Sequence, residues 1–224
     1  MEPTVIYEDN HLLAINKPAG WLVQGDKTGD RTLTDWGKAY LKEKYDKPGA
    51  VYLHPVHRID RPVSGAVLFA RTDKALGRLT EMFRTREVKK KYVAIVEQAP
   101  YLEHATLKHF LIKDEAKNKV TAYDTPKPNA KESILEYSIW KKTAKGTFLN
   151  IDPITGRPHQ IRVQLAKIGC IIVGDVKYGA TAPLPDARIA LHCRSMELLH
   201  PVQKVPIIVV AEWPDVFLKS PPVP

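Results

Sequence analysis

The polar loop at residues 57–65 contains the side chains best suited to chemistry in this sequence. Asp60 stands between Arg58 and Arg61, and neighbouring positive charge favours the ionised form of a carboxyl group. An ionised carboxylate can act as a nucleophile or as a base, while arginines bind phosphate oxygens through paired hydrogen bonds. An Asp–Arg pair that only fixes the loop uses the same residues, so the pattern alone leaves both interpretations open.

A second polar cluster lies at residues 156–162 and ends in Arg162. If residues 158–167 form a helix, His159 and Arg162 share one of its faces, while the apolar residues point towards the core. Arg162 could then reach a carboxylate, although an ordinary surface arginine fits the same pattern. Tyr92 follows three lysines, and it either stacks on an unpaired base or packs within a sheet.

The sequence contains no signal for a metal or a cofactor. The glycine-rich dinucleotide motif and the P-loop do not occur, and neither do the HExxH and GxSxG hydrolase motifs. His54 and His57 have no companion ligands at metal-site spacing, and Cys170 and Cys193 suit neither a zinc site nor a disulfide framework. We therefore expect an activity that uses no metal and no cofactor.

The charge distribution indicates a polyanionic partner. The 224 residues include 34 Lys and Arg against 25 Asp and Glu, which gives a net charge of +9. Residues 57–91 hold ten basic and four acidic side chains, and so account for +6 of that excess. Such a local field attracts nucleic acid, although a solvated basic face without a partner has the same composition.

The elements that must position these residues favour an α+β fold with a mostly antiparallel mixed sheet and a few flanking helices. Residues 5–8 and 12–16 predict a hairpin. Further strands are expected at residues 51–53, 65–71, 91–97, 105–112, 119–123, 133–141, 146–152, 188–199 and 205–212, and helices at residues 32–45, 72–85 and 158–167. No apolar run is long enough to span a bilayer and no signal peptide is visible, so we expect a cytoplasmic protein.

Taken together, these segments resemble the RluA-like family of RNA pseudouridine synthases. Residues 57–65 are similar to the family's HRLDRxTSG signature, and residues 156–162 are similar to its GRTHQ[IL]R motif. Residues 90–92 resemble the family's K-x-Y segment, and residues 174–179 resemble its GDxxYG turn.

The resemblance covers residues 4–213 and includes further segments at residues 16–20 and 191–201. It implies a single catalytic domain over residues 1–224, without the N-terminal S4 domain that many relatives carry. The departures from the family motifs include Val63, Pro158 and Gln164, none of which is a predicted catalytic residue.

The resemblance implies that uridine in tRNA or rRNA is isomerised to pseudouridine, with base flipping and without a cofactor. Asp60 is then the nucleophile, or the base in a glycal route, and Arg162 pairs with it. Tyr92 stacks on the detached base, and Arg58 fills the gap that the base leaves in the RNA. The predicted RNA-binding residues are His57, Arg58, Arg61, Arg84, Arg86, Lys89, Lys90, Lys91, Arg157 and His159.

Two other functions stay open. A non-catalytic RNA-binding protein with this fold would keep the basic surface, but it has no need for Asp60, Tyr92 and Arg162 together. A metal-independent ribonuclease would use His57 and His159 as acid and base and would shorten the RNA. Isomerisation changes neither the length nor the mass of the RNA, so the product distinguishes the three functions.

Overall fold

The structure is a computed structural model that describes residues 1–26, 29–144 and 146–214. The strands are β1 (Thr4–Glu8), β2 (Leu12–Lys17), β3 (His54–Pro55), β4 (Ser64–Ala70), β5 (Lys89–Val96), β6 (His104–Asp114), β7 (Lys119–Tyr123), β8 (Lys131–Thr143), β9 (Gly146–Pro153), β10 (Leu191–Leu199) and β11 (Pro206–Val210). The helices are α1 (Leu33–Lys44), α2 (Asp73–Arg84) and α3 (Gln160–Lys167), and 3₁₀ turns occur at Val176–Tyr178 and Pro185–Ala187. This confirms the predicted α+β class for the described residues.

The chain divides into two compact units. Among the described residues, unit 1 comprises Met1–Lys90 and Cys193–Glu212, and unit 2 comprises Lys91–His192 and residues 213–214. One catalytic domain over residues 1–224 therefore stays a prediction. Asp60 belongs to unit 1, whereas Tyr92 and Arg162 belong to unit 2.

The sheet of unit 1 has the strand order β1-β2-β4-β10, with β3 paired to β4 and β11 paired to β10. β1 and β2 form the antiparallel hairpin that the sequence predicts, and the Asp9 carboxylate accepts hydrogen bonds from two backbone N–H groups in its turn. β4 is buried along its whole length. A Cβ on Gly65 would lie 2.3 Å from the carbonyl oxygen of Cys193, so the start of β4 requires glycine.

Threonine caps fix the starts of the two helices of unit 1. The Thr32 hydroxyl accepts a hydrogen bond from the backbone of Asp35, and the Asp35 carboxylate accepts one from the backbone of Thr32. This reciprocal capping box satisfies N–H groups that a helix leaves unpaired at its start. Thr72 accepts a hydrogen bond from the Ala75 N–H in the same way. α1 and α2 therefore begin where the sequence predicts them.

The sheet of unit 2 has the strand order β5-β9-β8-β6-β7, and its neighbouring strands are antiparallel. α3 contacts β6 and β7. Val163 of α3 is buried against Leu111, Val120 and Ala122, and Tyr178 packs against the same cluster. This packing places the residues next to Val163 on α3 close to the 3₁₀ turn that contains Tyr178.

One predicted strand is absent, and one predicted helix starts later than expected. Residues 51–53 form no strand, and only the two residues of β3 pair with the end of β4. α3 begins at Gln160 rather than at residue 158, because His159 has a left-handed backbone with φ of 53° and ends the turn before the helix. Within the described residues, no helix is long and apolar enough to cross a membrane.

Candidate active site

The Asp60 turn lies between β3 and β4 and is fastened to the segment after β2. The backbone N–H of Val63 donates to the Asp60 carbonyl oxygen at 3.0 Å, which closes the turn. The Arg61 carbonyl accepts from the Gly20 N–H at 2.8 Å, and the Arg61 Nε donates back to the Gly20 carbonyl at 3.0 Å. Arg61 also pairs with Asp30 at 2.7 Å, so part of its predicted phosphate-binding capacity is used within unit 1.

Lys17 is a buried cation next to this turn, and sequence reasoning missed it. Its Nζ donates to the carbonyl oxygens of Pro18 at 3.0 Å, Trp21 at 2.8 Å and Arg61 at 3.2 Å. Burial lowers the pKa of Lys17 to about 7, while the Asp60 carboxylate raises it and the Arg61 charge lowers it further. Lys17 therefore holds the Arg61 backbone and places a titratable charge beside Asp60.

A sequence signal for Lys17 was available. Residues 12–15 form a continuous apolar run that is buried on both faces of β2, and Lys17 lies on the same face as Leu13 and Ile15, immediately before Pro18. A lysine at a position that faces the core needs hydrogen-bond acceptors, and the following loop backbone supplies them. From the sequence, residues 16–20 were indicated only by the family resemblance.

His57 anchors the start of the Asp60 turn. Its Nε2 accepts a hydrogen bond from the Leu68 N–H at 3.0 Å, and its ring stacks on Phe83 with centroids 4.9 Å apart. Burial lowers the pKa of His57 to about 3, and the charge of Lys90 lowers it in the same direction. His57 is therefore neutral near pH 7, and its contribution to RNA binding stays a prediction.

The other predicted RNA-binding cations of unit 1 differ in their protein contacts. Arg84 forms an ion pair with Glu81, one turn earlier on α2. Lys90 is half-buried, and burial lowers its pKa. Arg58, Arg84, Arg86 and Lys89 are exposed. Because Arg84 shares its charge with Glu81, Arg58, Arg86 and Lys89 are the cations best placed to meet a phosphate from this unit.

In unit 2, Tyr92 is buried within β5 and lies opposite Ile151 of β9. Its packing in the sheet is one of the two environments that the sequence left open, and stacking on a base stays a prediction. Lys91 precedes it, with its Nζ 3.9 Å from the Asp152 carboxylate. Arg157 donates from Nε to the Glu132 carbonyl at 3.3 Å.

Arg162 lies in the interior of unit 2 rather than on its surface. Its Nε donates to one carboxylate oxygen of Asp175 at 2.7 Å, and its Nη2 donates to the other at 2.8 Å. The two side chains are only 6% and 2% exposed. The Arg162–Asp175 pair was not expected from the sequence, and the implied pair between Arg162 and Asp60 stays a prediction.

His159 belongs to the same corner of unit 2. Its Nδ1 lies 2.7 Å from the Tyr178 hydroxyl oxygen, which also accepts the Val120 N–H at 3.0 Å. The Arg162 guanidinium lies over the Tyr178 ring, 5.1 Å from its centroid. The two motifs at residues 156–162 and 174–179 are thus joined through Tyr178 and Asp175. Within the described residues, no group of three or more His, Cys, Asp or Glu side chains could hold a metal ion.

A family model described as RNA pseudouridylate synthase matches residues 11–167 of this chain. The ribosomal large subunit pseudouridine synthase C of Buchnera aphidicola subsp. Baizongia pistaciae is 35% identical over 221 residues, which cover 95% of this chain and 68% of that protein. The protein of the same description from Vibrio cholerae is 34% identical over 91% of this chain, which spans only 64% of its length.

Two further similarities cover nearly the whole of both chains. The tRNA pseudouridine synthase C of Vibrio cholerae is 28% identical over 95% of this chain and 92% of its own length. The solved structure of human RNA pseudouridylate synthase domain containing 4 superposes with a TM-score of 0.79 and 26% identity, over 96% of this chain and 90% of that one.

Proposed function

Because the chain belongs to the RNA pseudouridylate synthase family, we propose that it isomerises specific uridines of tRNA or rRNA to pseudouridine, in the cytoplasm. The observation that carries this proposal is the Asp60 turn, which Lys17 and Arg61 fasten to the segment after β2. Relatives described as acting on ribosomal RNA and on tRNA both match this chain, so the proposal includes both substrate classes.

The proposed reaction breaks the bond between N1 of uracil and C1′ of the ribose, turns the base and joins C5 to C1′. The proton that C5 loses is balanced by the proton that N1 gains, so the reaction needs no oxidant and no external group. Asp60 acts either as the nucleophile at C1′ or as the base that removes a ribose proton in a glycal route. We therefore propose that the chain uses no cofactor.

The remaining roles concern the base and the RNA backbone. We propose that Tyr92 stacks on the detached uracil and that Arg162 acts on the Asp60 carboxylate. A target nucleotide must leave its stack at a cost of about a few kcal/mol before it can be turned. Arg58 would fill the vacated position, and phosphate contacts from residues 84–91 would offset part of that cost.

The properties of His57 argue against the ribonuclease alternative. A general acid or base that works near neutral pH needs a pKa near that pH. The pKa of His57 is about 3, and its Nε2 already accepts the Leu68 N–H. A non-catalytic RNA-binding protein remains the second candidate, and it would bind the RNA without forming pseudouridine.

One assay separates these functions. The protein is incubated with transcripts of tRNA and of rRNA fragments, and each RNA is then analysed for its length on a denaturing gel and for a pseudouridine-selective chemical adduct. We expect full-length RNA that carries the adduct at discrete positions. Shortened RNA would identify a ribonuclease, and bound but unmodified RNA would identify a binding protein.

A further inference from the structure

The Arg162–Asp175 pair has a geometry that fixes the orientation of the guanidinium. Two parallel hydrogen bonds, at 2.7 and 2.8 Å, join one edge of Arg162 to both carboxylate oxygens. Such a fork-to-fork contact removes the rotation that a single hydrogen bond allows. It uses two of the five N–H donors of an arginine, and it thereby sets the direction in which the other donors point.

The face of the guanidinium is held as well as its edge. The Tyr178 ring lies 5.1 Å from the Arg162 guanidinium carbon, at cation–π distance. The hydroxyl of that ring is itself tied to the Val120 N–H and to His159, so the ring cannot swing away without breaking both contacts. The groups that contact the edge and the face of the guanidinium, Asp175 and Tyr178, therefore both lie in the turn that begins at Asp175.

The backbone of this turn keeps Asp175 in place. The Asp175 carbonyl oxygen accepts hydrogen bonds from the N–H groups of Tyr178 and Ala180, and the Asp175 N–H donates to Ile172. Gly174 has φ of 85°, and a Cβ there would lie 2.8 Å from the Leu184 side chain. These backbone contacts hold the turn in the conformation in which the buried Asp175 carboxylate is directed at Arg162.

A buried ion pair is a poor choice if stability is the only purpose, because well-packed apolar residues serve as well or better. Orientation is a purpose that apolar residues cannot serve. We infer that Asp175 is a positioning residue, which acts through Arg162 by fixing the guanidinium in the orientation that the proposed isomerisation uses. The inference rests on the proposed function and deepens it, since it gives the segment at residues 174–179 a role in the reaction.

The test is a double-mutant cycle on the rate of conversion in single turnover. The variants are Asp175→Asn, Arg162→Met and the two combined. Asp124→Asn is the matched control. It removes an exposed aspartate whose carboxylate lies 2.8 Å from Lys167, a residue of α3 like Arg162. RNA affinity and thermal melting are measured on each preparation.

We expect Asp175→Asn to convert RNA about 100-fold more slowly than the wild type, because misplacing a catalytic group by about 1 Å costs that much. Its RNA affinity should stay within about threefold of the wild type, as should the rate of Asp124→Asn. In the Arg162→Met background the Asp175 change should slow the reaction by no more than about threefold, because the group through which Asp175 acts is already gone. A purely structural role would instead lower the rate only as far as thermal melting shows that folded protein is lost.

A second readout does not depend on RNA or on activity. The Nε–H of Arg162 donates to Asp175 in the wild type, so its NMR signal should be shifted downfield and protected from exchange, as expected for a buried hydrogen bond to a charged acceptor. Asp124→Asn should keep that signal, and Asp175→Asn should lose it. The wild-type signal can be measured whether or not Asp175→Asn and Arg162→Met fold, so the orientation of Arg162 is tested in either case.

Four results would overturn the inference: an Asp175→Asn rate within about threefold of the wild type, an Arg162→Met rate that is unchanged, multiplied losses in the double variant, or an Arg162 Nε–H signal without protection. A wild-type protein that binds RNA but forms no pseudouridine would instead refute the proposed function. The NMR readout would still show in that case whether Asp175 orients Arg162.

Discussion

Each unit of this chain has a buried cation near a candidate catalytic motif, and the two cations differ in the groups that accept their hydrogen bonds. Lys17 in unit 1 donates to three backbone carbonyl oxygens, those of Pro18, Trp21 and Arg61. Arg162 in unit 2 donates to both oxygens of the Asp175 carboxylate. The three hydrogen-bond acceptors of Lys17 are thus neutral carbonyl groups, and the Asp60 carboxylate also acts on its charge, whereas Arg162 is hydrogen-bonded directly to a carboxylate.

This difference determines which cation can change its charge. Carbonyl dipoles do not fully replace water around an ammonium, and burial therefore lowers the pKa of Lys17 to about 7. An arginine keeps its proton at any pH at which proteins fold, and the buried carboxylate makes the charge of Arg162 essential to its surroundings. The buried cation of unit 1 can therefore release its proton near neutral pH, whereas the buried cation of unit 2 stays charged.

The largest predicted effect is on the stability of unit 2. Arg162→Met leaves Asp175 buried without its partner, and should lower the free energy of unfolding by about 3–5 kcal/mol. Lys17→Met leaves neutral carbonyls, one of which still accepts the Gly20 N–H, and should cost only about 1–3 kcal/mol. Urea denaturation of both variants measures the difference. A loss for Lys17→Met as large as that for Arg162→Met would break the comparison.

An effect that is smaller per pH unit concerns the pH dependence of Lys17. Between pH 7 and about 10.4 the unfolded chain binds a proton at Lys17 that the folded chain has released. The wild type should therefore gain stability relative to Lys17→Met as pH rises through this window, by at most about 1.4 kcal/mol per pH unit. Below pH 7 both states carry the proton, and the difference between the two proteins should be constant. Urea denaturation of both proteins from pH 6 to 10 measures this difference in the free energy of unfolding. A difference that stays constant over the whole range would contradict this account of Lys17.

The smallest predicted effect at pH 7 concerns His57, another group of unit 1 whose pKa is strongly shifted. Its pKa of about 3 in the folded state lies below the ordinary value of about 6.5. The unfolded chain therefore takes up a proton first as pH falls from about 6.5 towards 3, and the wild type loses stability relative to His57→Gln over that range. At pH 7 the free energy of unfolding of His57→Gln should be about 1 kcal/mol lower than that of the wild type, because the hydrogen bond from the Leu68 N–H is lost. Denaturant melts of both proteins at pH 4.5 and 7 measure the change, and an equal difference at the two pH values would refute it.

The sequence predicted the elements better than it predicted their contacts. The hairpin of β1 and β2, the helix expected at residues 72–85 and the strands of unit 2 were predicted from patterns within short segments, where neighbouring residues determine the structure. The strand expected at residues 51–53 failed because an apolar triplet does not specify a pairing partner.

The candidate site shows the same limit more sharply. Local patterns indicated Asp60, Tyr92 and Arg162 as candidates, and the family resemblance implied their roles and a pair between Arg162 and Asp60, but not the pair between Arg162 and Asp175. The Arg162–Asp175 pair joins residues from two motifs, and only the packing of α3 beside the turn at Val176–Tyr178 brings them together. Lys17 was missed because lysine is rarely buried, and because its acceptors are backbone carbonyls that no side-chain pattern reveals.

The central claim is that Asp60 takes part in the chemistry, and Asp60→Asn tests it most directly. The amide keeps the size of the carboxylate but cannot ionise, so it supplies neither a nucleophile nor a base. Asp30→Asn is the control, because it removes the exposed aspartate that pairs with Arg61 in the same region.

The measurement is single-turnover formation of pseudouridine on a responsive RNA, with RNA binding and thermal melting determined on the same preparation. We predict that folded Asp60→Asn binds RNA within about threefold of the wild type but loses several orders of magnitude in rate, whereas Asp30→Asn stays near the wild-type rate. Conversion by folded Asp60→Asn within about tenfold of the wild type, a difference of only about 1.4 kcal/mol in the barrier, would contradict the account.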